Sequence, residues 1–155
     1  MEHMILHNLQ KAGCLRRLMA SIYDWLLVIS VMMLLSVPIV ASLDDAIQPG
    51  NELYRAGLLV IAIIFFTAFW AHGGQTVGMK AWRLRLVQAN GSPVSYPMAF
   101  LRFICACISA LPAGLGFLWI LWDRDQLSWH DRWTGTTIVL LPKPNKSGNV
   151  GVAPD

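Results

Sequence analysis

The chain has 155 residues, enough for one domain, and 55% of them are hydrophobic while 14% are charged, with a mean hydropathy of +0.51. That composition lies outside the range of ordinary soluble domains and reads as an integral membrane protein. The net charge of +3 is modest, and the basic residues sit at the ends of apolar segments rather than in a stripe, which argues against a nucleic-acid-binding role.

The first apolar segment follows Arg16 and Arg17 and runs from about residue 18 to 41, with Pro38 near its far end. From Trp25 to Leu43 no residue carries a formal charge. Such a run exceeds the roughly 7–15 residues of a signal-peptide core and approaches the ~20 needed to span a bilayer, so a retained transmembrane helix is predicted. The link "LDDAIQPGNELYR" contains Pro49, Gly50 and three acids and reads as an exposed turn. A second span follows over 56–72.

The stretch "GGQTVGMKAWRLRLVQANGSPVSYP" is too polar to cross a membrane. Within it "WRLRLVQ" alternates and precedes "NG", a hairpin signal, and the distant "TTIVLLP" is β-branched enough to offer a partner strand. If those two pair, they lie on one side of the membrane. The third apolar segment, 98–122, carries Arg102 near its start and "LPAGLG" in its middle, where Pro112, Gly114 and Gly116 predict a break. Twenty-five residues cannot cross twice at ~20 each, so the segment is one kinked span or a re-entrant pair.

The expected architecture is thus an all-α integral membrane protein with two transmembrane helices, a third kinked or re-entrant apolar segment, and a small cytoplasmic β-hairpin-like element. Residues 1–13 form an N-terminal cytoplasmic segment, 14–141 the membrane domain and 142–155 a disordered tail. Lys and Arg number three before the first span, one in the first link, three in the middle loop and four after Trp122. The positive-inside rule then puts the N-terminus and middle loop in the cytoplasm of a bacterial inner membrane. A third full crossing would export a tail as basic as any cytoplasmic part, so the re-entrant form is the reading adopted.

An acid inside a span is a functional-site hypothesis by default. Asp24 lies seven residues beyond Arg17, roughly 10 Å along the helix, and requires a partner or water. The expected partner is Arg102 at similar depth, with Arg132 a second choice if the tail is cytoplasmic. "SWHDRWTGT" is the densest polar cluster. His130 oriented by Asp131 would make a base, but no nucleophile motif accompanies it, so a structural role in which Asp131 accepts from backbone amides or an arginine is favoured. His72 reads as an interfacial cap. Of the three cysteines, Cys14, Cys105 and Cys107, the last two fall in an apolar run and read as packing residues without zinc spacing, and "GGQTVG" lacks the pattern of a phosphate loop. No cofactor, metal or enzymatic activity is expected.

Arg17, Asp24, the "GQTVGMKAWRLRLV" stretch and "HDRWTGT" together resemble the RDD family of small membrane proteins over roughly residues 14–141. The family is named for one arginine and two aspartates, which the resemblance implies are Arg17, Asp24 and Asp131. Met79 and Trp82 depart from its pattern, standing in place of a basic and a smaller apolar residue. Transport has been suggested for the family, some members being similar to proteins proposed to exchange cations for protons. The candidate cluster is therefore Arg17, Asp24, Arg102, His130, Asp131 and Arg132. Two functions follow: a small transporter or transporter subunit in which Asp24 titrates, or a non-transporting interaction protein in which the Arg/Asp cluster is structural. Three segments give little wall for a water-filled path, so the expected partners are the lipid bilayer and either a second copy or another membrane protein.

Overall fold

A computed structural model describes residues 10–41, 51–112 and 114–143. The expectations for the first nine residues, for most of the first link and for the tail from residue 144 fall outside these.

Helix α1, Cys14–Ala41, has 28 residues and is ~42 Å long, more than a hydrocarbon core requires. Only Ala20, Asp24 and Val28 on it are buried. They recur every four residues, a single stripe on one face. The remainder faces outward, with Met33 67% and Leu34 73% exposed, as suits a helix bathed in acyl chains. Helix α2, Glu52–Ala71, begins at Asn51, whose side chain accepts from the Tyr54 amide, satisfying one of the amides that a helix start leaves free. Both helices are long and apolar enough to cross a membrane. They meet through Val28, Ala62 and Phe66, joined by Phe103, and Tyr54 donates to Ser36 Oγ at 2.7 Å near their far ends.

The middle loop holds α3, Val77–Ala81, and strand β1, Leu84–Gln88. The Asn90–Gly91 turn forms, closed by Gly91 N to Gln88 O at 2.9 Å, but no strand follows it, because Pro93 cannot donate to a ladder. The antiparallel partner of β1 is instead β2, Thr136–Leu140, with Leu84 opposite Leu140 and Gln88 opposite Thr136. Gly74 covers the other edge of β1: Leu86 N donates to Gly74 O at 2.7 Å. A Cβ on Gly74 would lie 2.3 Å from Leu86 O, so only glycine allows that approach.

The third apolar segment is α4, Tyr96–Ala110, followed by α5, Leu115–Leu118, and a 3₁₀ turn, Trp119–Leu121. The two limbs meet at 105°. Gly114 turns the chain with φ +77°, and a Cβ on Gly116 would stand 2.6 Å from Ser109 Cβ. Helix α6, Trp129–Thr134, then leads through Gly135 into β2.

The chain entering α1 also joins the sheet. Ala12 N donates to Ile138 O at 2.9 Å and Leu140 N to Gln10 O at 2.8 Å. The start of α1, β1 and β2 therefore occupy one side of the membrane. By length and composition the bent segment is a broken span or a re-entrant loop, and the common position of the α1 start, β1 and β2 fits the re-entrant form. Beneath the sheet lie Ala12, Ala20, Met79, Leu84, Leu86, Val94 and Ala99. Met79 is thus core, and a basic side chain there would be buried among apolar groups.

Candidate functional site

Asp131 is the centre of the polar structure. It sits at the third helical position of α6, where it accepts from the Ser128 amide at 3.1 Å and completes a capping box with Ser128, one reason a six-residue helix holds its shape. Its other bonds come from far away in sequence. Arg17 Nη1 donates to Oδ2 at 2.5 Å and Arg102 Nη2 to Oδ1 at 2.5 Å. Asp131 has no exposure and Arg102 only 2%.

The two arginines are themselves fixed. Arg17 Nε donates to Ala12 O at 3.0 Å, Arg102 donates to the Thr136 hydroxyl, and the Arg102 guanidinium stands 5.5 Å from the Trp70 ring centroid, a cation–π distance. One carboxylate therefore ties α1, α4, α6 and, through Thr136, β2. Burial works against the Asp131 charge, but the guanidiniums of Arg102 and Arg17 outweigh it and hold the carboxyl well below the usual range.

His130 bonds Ser128 Oγ through Nε2 at 3.0 Å, and its Nε2 is 3.8 Å from Asp131 Oδ1. Burial first, and the Arg102 charge second, push it down to about 3, so its ring is neutral at physiological pH. Among the described residues, Arg102 Nε and His130 Nδ1 are buried without hydrogen-bond partners.

Asp24 belongs to a separate cluster, which corrects the expected pairing with Arg102 or Arg132. Its Oδ2 accepts from the Thr76 hydroxyl at 2.5 Å and its Oδ1 from the Gly78 amide at 2.8 Å, and it is 3% exposed. No salt bridge to it occurs among the described residues. The reason is geometric: α3 lies on this face of α1, so close that a Cβ on Gly78 would be 2.3 Å from Ala20 O and 3.0 Å from Asp24 Cγ. Arg102 is drawn to α6 instead, and Arg132 lies at the surface against Asp123. The predicted set thus divides: Arg17, Arg102, His130 and Asp131 gather, while Asp24 and Arg132 stand apart.

Sequence reasoning missed Thr76, Gly78, Ser128 and Thr136. Thr76 carried a signal, since a Thr before "VGMK" is a helix N-cap and accepts from the Met79 amide at 3.2 Å. Thr136 had none, because its role in the cluster comes from a contact with Arg102 across 34 residues.

A cleft of about 350 Å³ lies beside both clusters, and Arg17, Asp24, Arg102 and His130 all line it. Its remaining lining is chiefly apolar, with Trp25, Phe66 and Phe117 among it. Among the described residues no group of three His, Cys, Asp or Glu side chains is placed to hold a metal ion.

The chain is 29% identical over 133 residues to the uncharacterized protein YckC of Bacillus subtilis (strain 168), a match covering 83% of each chain. No solved structure matches it significantly. The RDD family matches residues 11–135, a span that includes Arg17, Asp24 and Asp131 and both clusters built around them, and the chain belongs to that family.

Proposed function

We propose that the protein is a non-enzymatic, multi-pass component of a bacterial inner membrane whose Arg17–Asp131–Arg102 cluster is a structural clasp, and which works by presenting the folded sheet-bearing face and its outward helices to a second copy or another membrane protein. The observation that carries this reading is the complete burial of Asp131 between guanidiniums from two distant segments. Charges so engaged hold segments in register, and a buried ion pair serves arrangement better than net stability. Orientation follows from charge: ten Lys and Arg on or beside the sheet-bearing side, among the described residues, face four acids, which supports a cytoplasmic N-terminus.

A second reading, transport, is favoured by one feature: Asp24 lines the cleft and meets only neutral donors, so it is free to gain or lose a proton without breaking an ion pair. Reconstitution into liposomes with an internal pH-sensitive dye separates the two. The clasp reading expects no cation-dependent proton flux above protein-free vesicles, and a loss of folded yield in Asp131→Asn. A flux that vanishes in Asp24→Asn while the variant remains folded would replace it with transport.

A further inference from the structure

We propose that the cleft between α1, α4 and α5 is a binding site for an anionic glycerophospholipid, with the lipid phosphate at Arg17 and Arg102 and an acyl chain along the apolar wall beyond them. The inference goes beyond the clasp and rests on how the cleft is lined.

The lining residues on α1 include Arg17, Leu18, Ser21, Ile22 and Trp25, together with Cys14, Ala20 and Asp24. Apart from Ala20 and Asp24 they follow helical spacing, with the cation at the membrane edge and apolar groups deeper. Leu18, Ile22 and Trp25 are 50%, 43% and 52% exposed, and Phe117 and Leu118 face them across the cleft mouth. A charged head continuous with an apolar chain is what such a gradient accepts; a water-soluble anion would leave most of the wall against nothing. The volume lies within the ~300–1,000 Å³ of ordinary ligand pockets.

The charge at the head end is positive. Two guanidiniums share one carboxylate, His130 is neutral, and Arg102 Nε still has a hydrogen to donate. Arg16 at the start of α1, Lys80 on α3 and Arg83 just before β1 add basic charge to the sheet-bearing side. Basic pockets between membrane helices attract acidic headgroups for this reason. Asp24 lies roughly 10 Å along the helix from Arg17 and turns its oxygens to Thr76 and Gly78, so its repulsion of the phosphate is weaker than the attraction of the nearer guanidiniums.

The test is tryptophan quenching in phosphatidylcholine nanodiscs containing a minor fraction of brominated phosphatidylglycerol or, separately, brominated phosphatidylethanolamine. Phosphatidylglycerol should quench as though enriched about fivefold at the site, the ratio expected for roughly one extra basic contact. The excess should shrink in Trp25→Phe, which removes one of the two tryptophans lining the cleft and leaves Trp70, and disappear in Ser21→Phe, which fills the cleft without touching the clasp. Equal quenching by the two lipids would overturn the proposal, as would an excess unchanged in both variants, which would mark general surface attraction. Displacement by inorganic phosphate but not by chloride at equal ionic strength would assign the site to a free anion and also overturn it.

Discussion

Asp131→Asn is the sharpest perturbation available. Asparagine keeps the size of the side chain and one carbonyl oxygen, so it can still accept from a single guanidinium. Its other terminal atom becomes an NH₂ facing the second guanidinium, donor against donor. Two arginines, one 2% and the other 11% exposed at the side chain, would then be left without a counter-charge. Removing one partner of a buried ion pair costs about 3–5 kcal/mol, and here both cations lose theirs, so the cost should reach the upper end of that range. Against a typical stability of about 5–15 kcal/mol, much of the fold's margin goes. Equilibrium unfolding in mixed micelles, followed by tryptophan fluorescence against the mole fraction of SDS, reads the change. Glu52→Gln is the control, since the Arg55–Glu52 pair is 67% and 82% exposed and should matter by under ~1 kcal/mol. If both variants unfold at the wild-type midpoint, Asp131 is no clasp.

Gly78→Ala should lower stability by at least about 1–3 kcal/mol, because the new methyl meets Ala20 O and the Asp24 carboxylate; a wild-type unfolding midpoint would deny that α3 docks on α1. Gly116→Ala pushes the two limbs of the bent segment apart at Ser109, and protease cleavage between residues 110 and 116 in detergent should quicken relative to wild type. Asp24→Asn should be milder than Asp131→Asn by about 2 kcal/mol or more, since asparagine still accepts from one of the two neutral donors and strands only the other, rather than leaving two cations without a counter-charge; equal losses would contradict the division into two clusters. Stability should also fall on acidification. His130 has a folded value depressed to about 3, so between pH 7 and 5 the unfolded chain takes up a proton at an ordinary histidine value near 6.5 while the folded chain does not. That removes about 2 kcal/mol by pH 5, and His130→Gln should flatten the profile. Asp131, whose folded value is depressed, keeps its contribution throughout this window and loses it progressively as pH falls from the ordinary carboxylate range to that lower value.

Much of the architecture was legible because it follows from solvent. Uncharged runs of bilayer length mark α1 and α2 whatever they pack against, and "LPAGLG" marks a break because proline and glycine act locally. The pairing of β1 with β2 could be offered but not chosen, since strand sequences specify an edge and a face rather than a partner. The site was less legible. Asp24 and Arg102 share a depth, which made them plausible partners, but depth is one coordinate and azimuth around the bundle is another. What turned Arg102 away from Asp24 is α3, a five-residue helix whose docking depends on Gly78 having no side chain. A missing Cβ leaves no trace in hydropathy or charge.

The sheet and the clasp impose the same topology by different physics. Backbone bonds from Ala12 and Leu140 fix the entry of α1 beside β2, a constraint that any sequence with free amides could satisfy. Asp131 adds one that only this chemistry can: its carboxylate reaches Arg17 at the start of α1 and Arg102 six residues into α4 only while the bent segment is folded back. A fully crossing third segment would carry Asp131 to the far side and leave two guanidiniums, one of them within the apolar segment, with no counter-charge. Hydrogen bonds in the sheet could reform with water after such a slip, but the guanidinium of Arg102 could not be rehydrated inside lipid. The ion cluster is therefore what makes the alternative topology expensive, and the sheet is what gives the correct one its geometry.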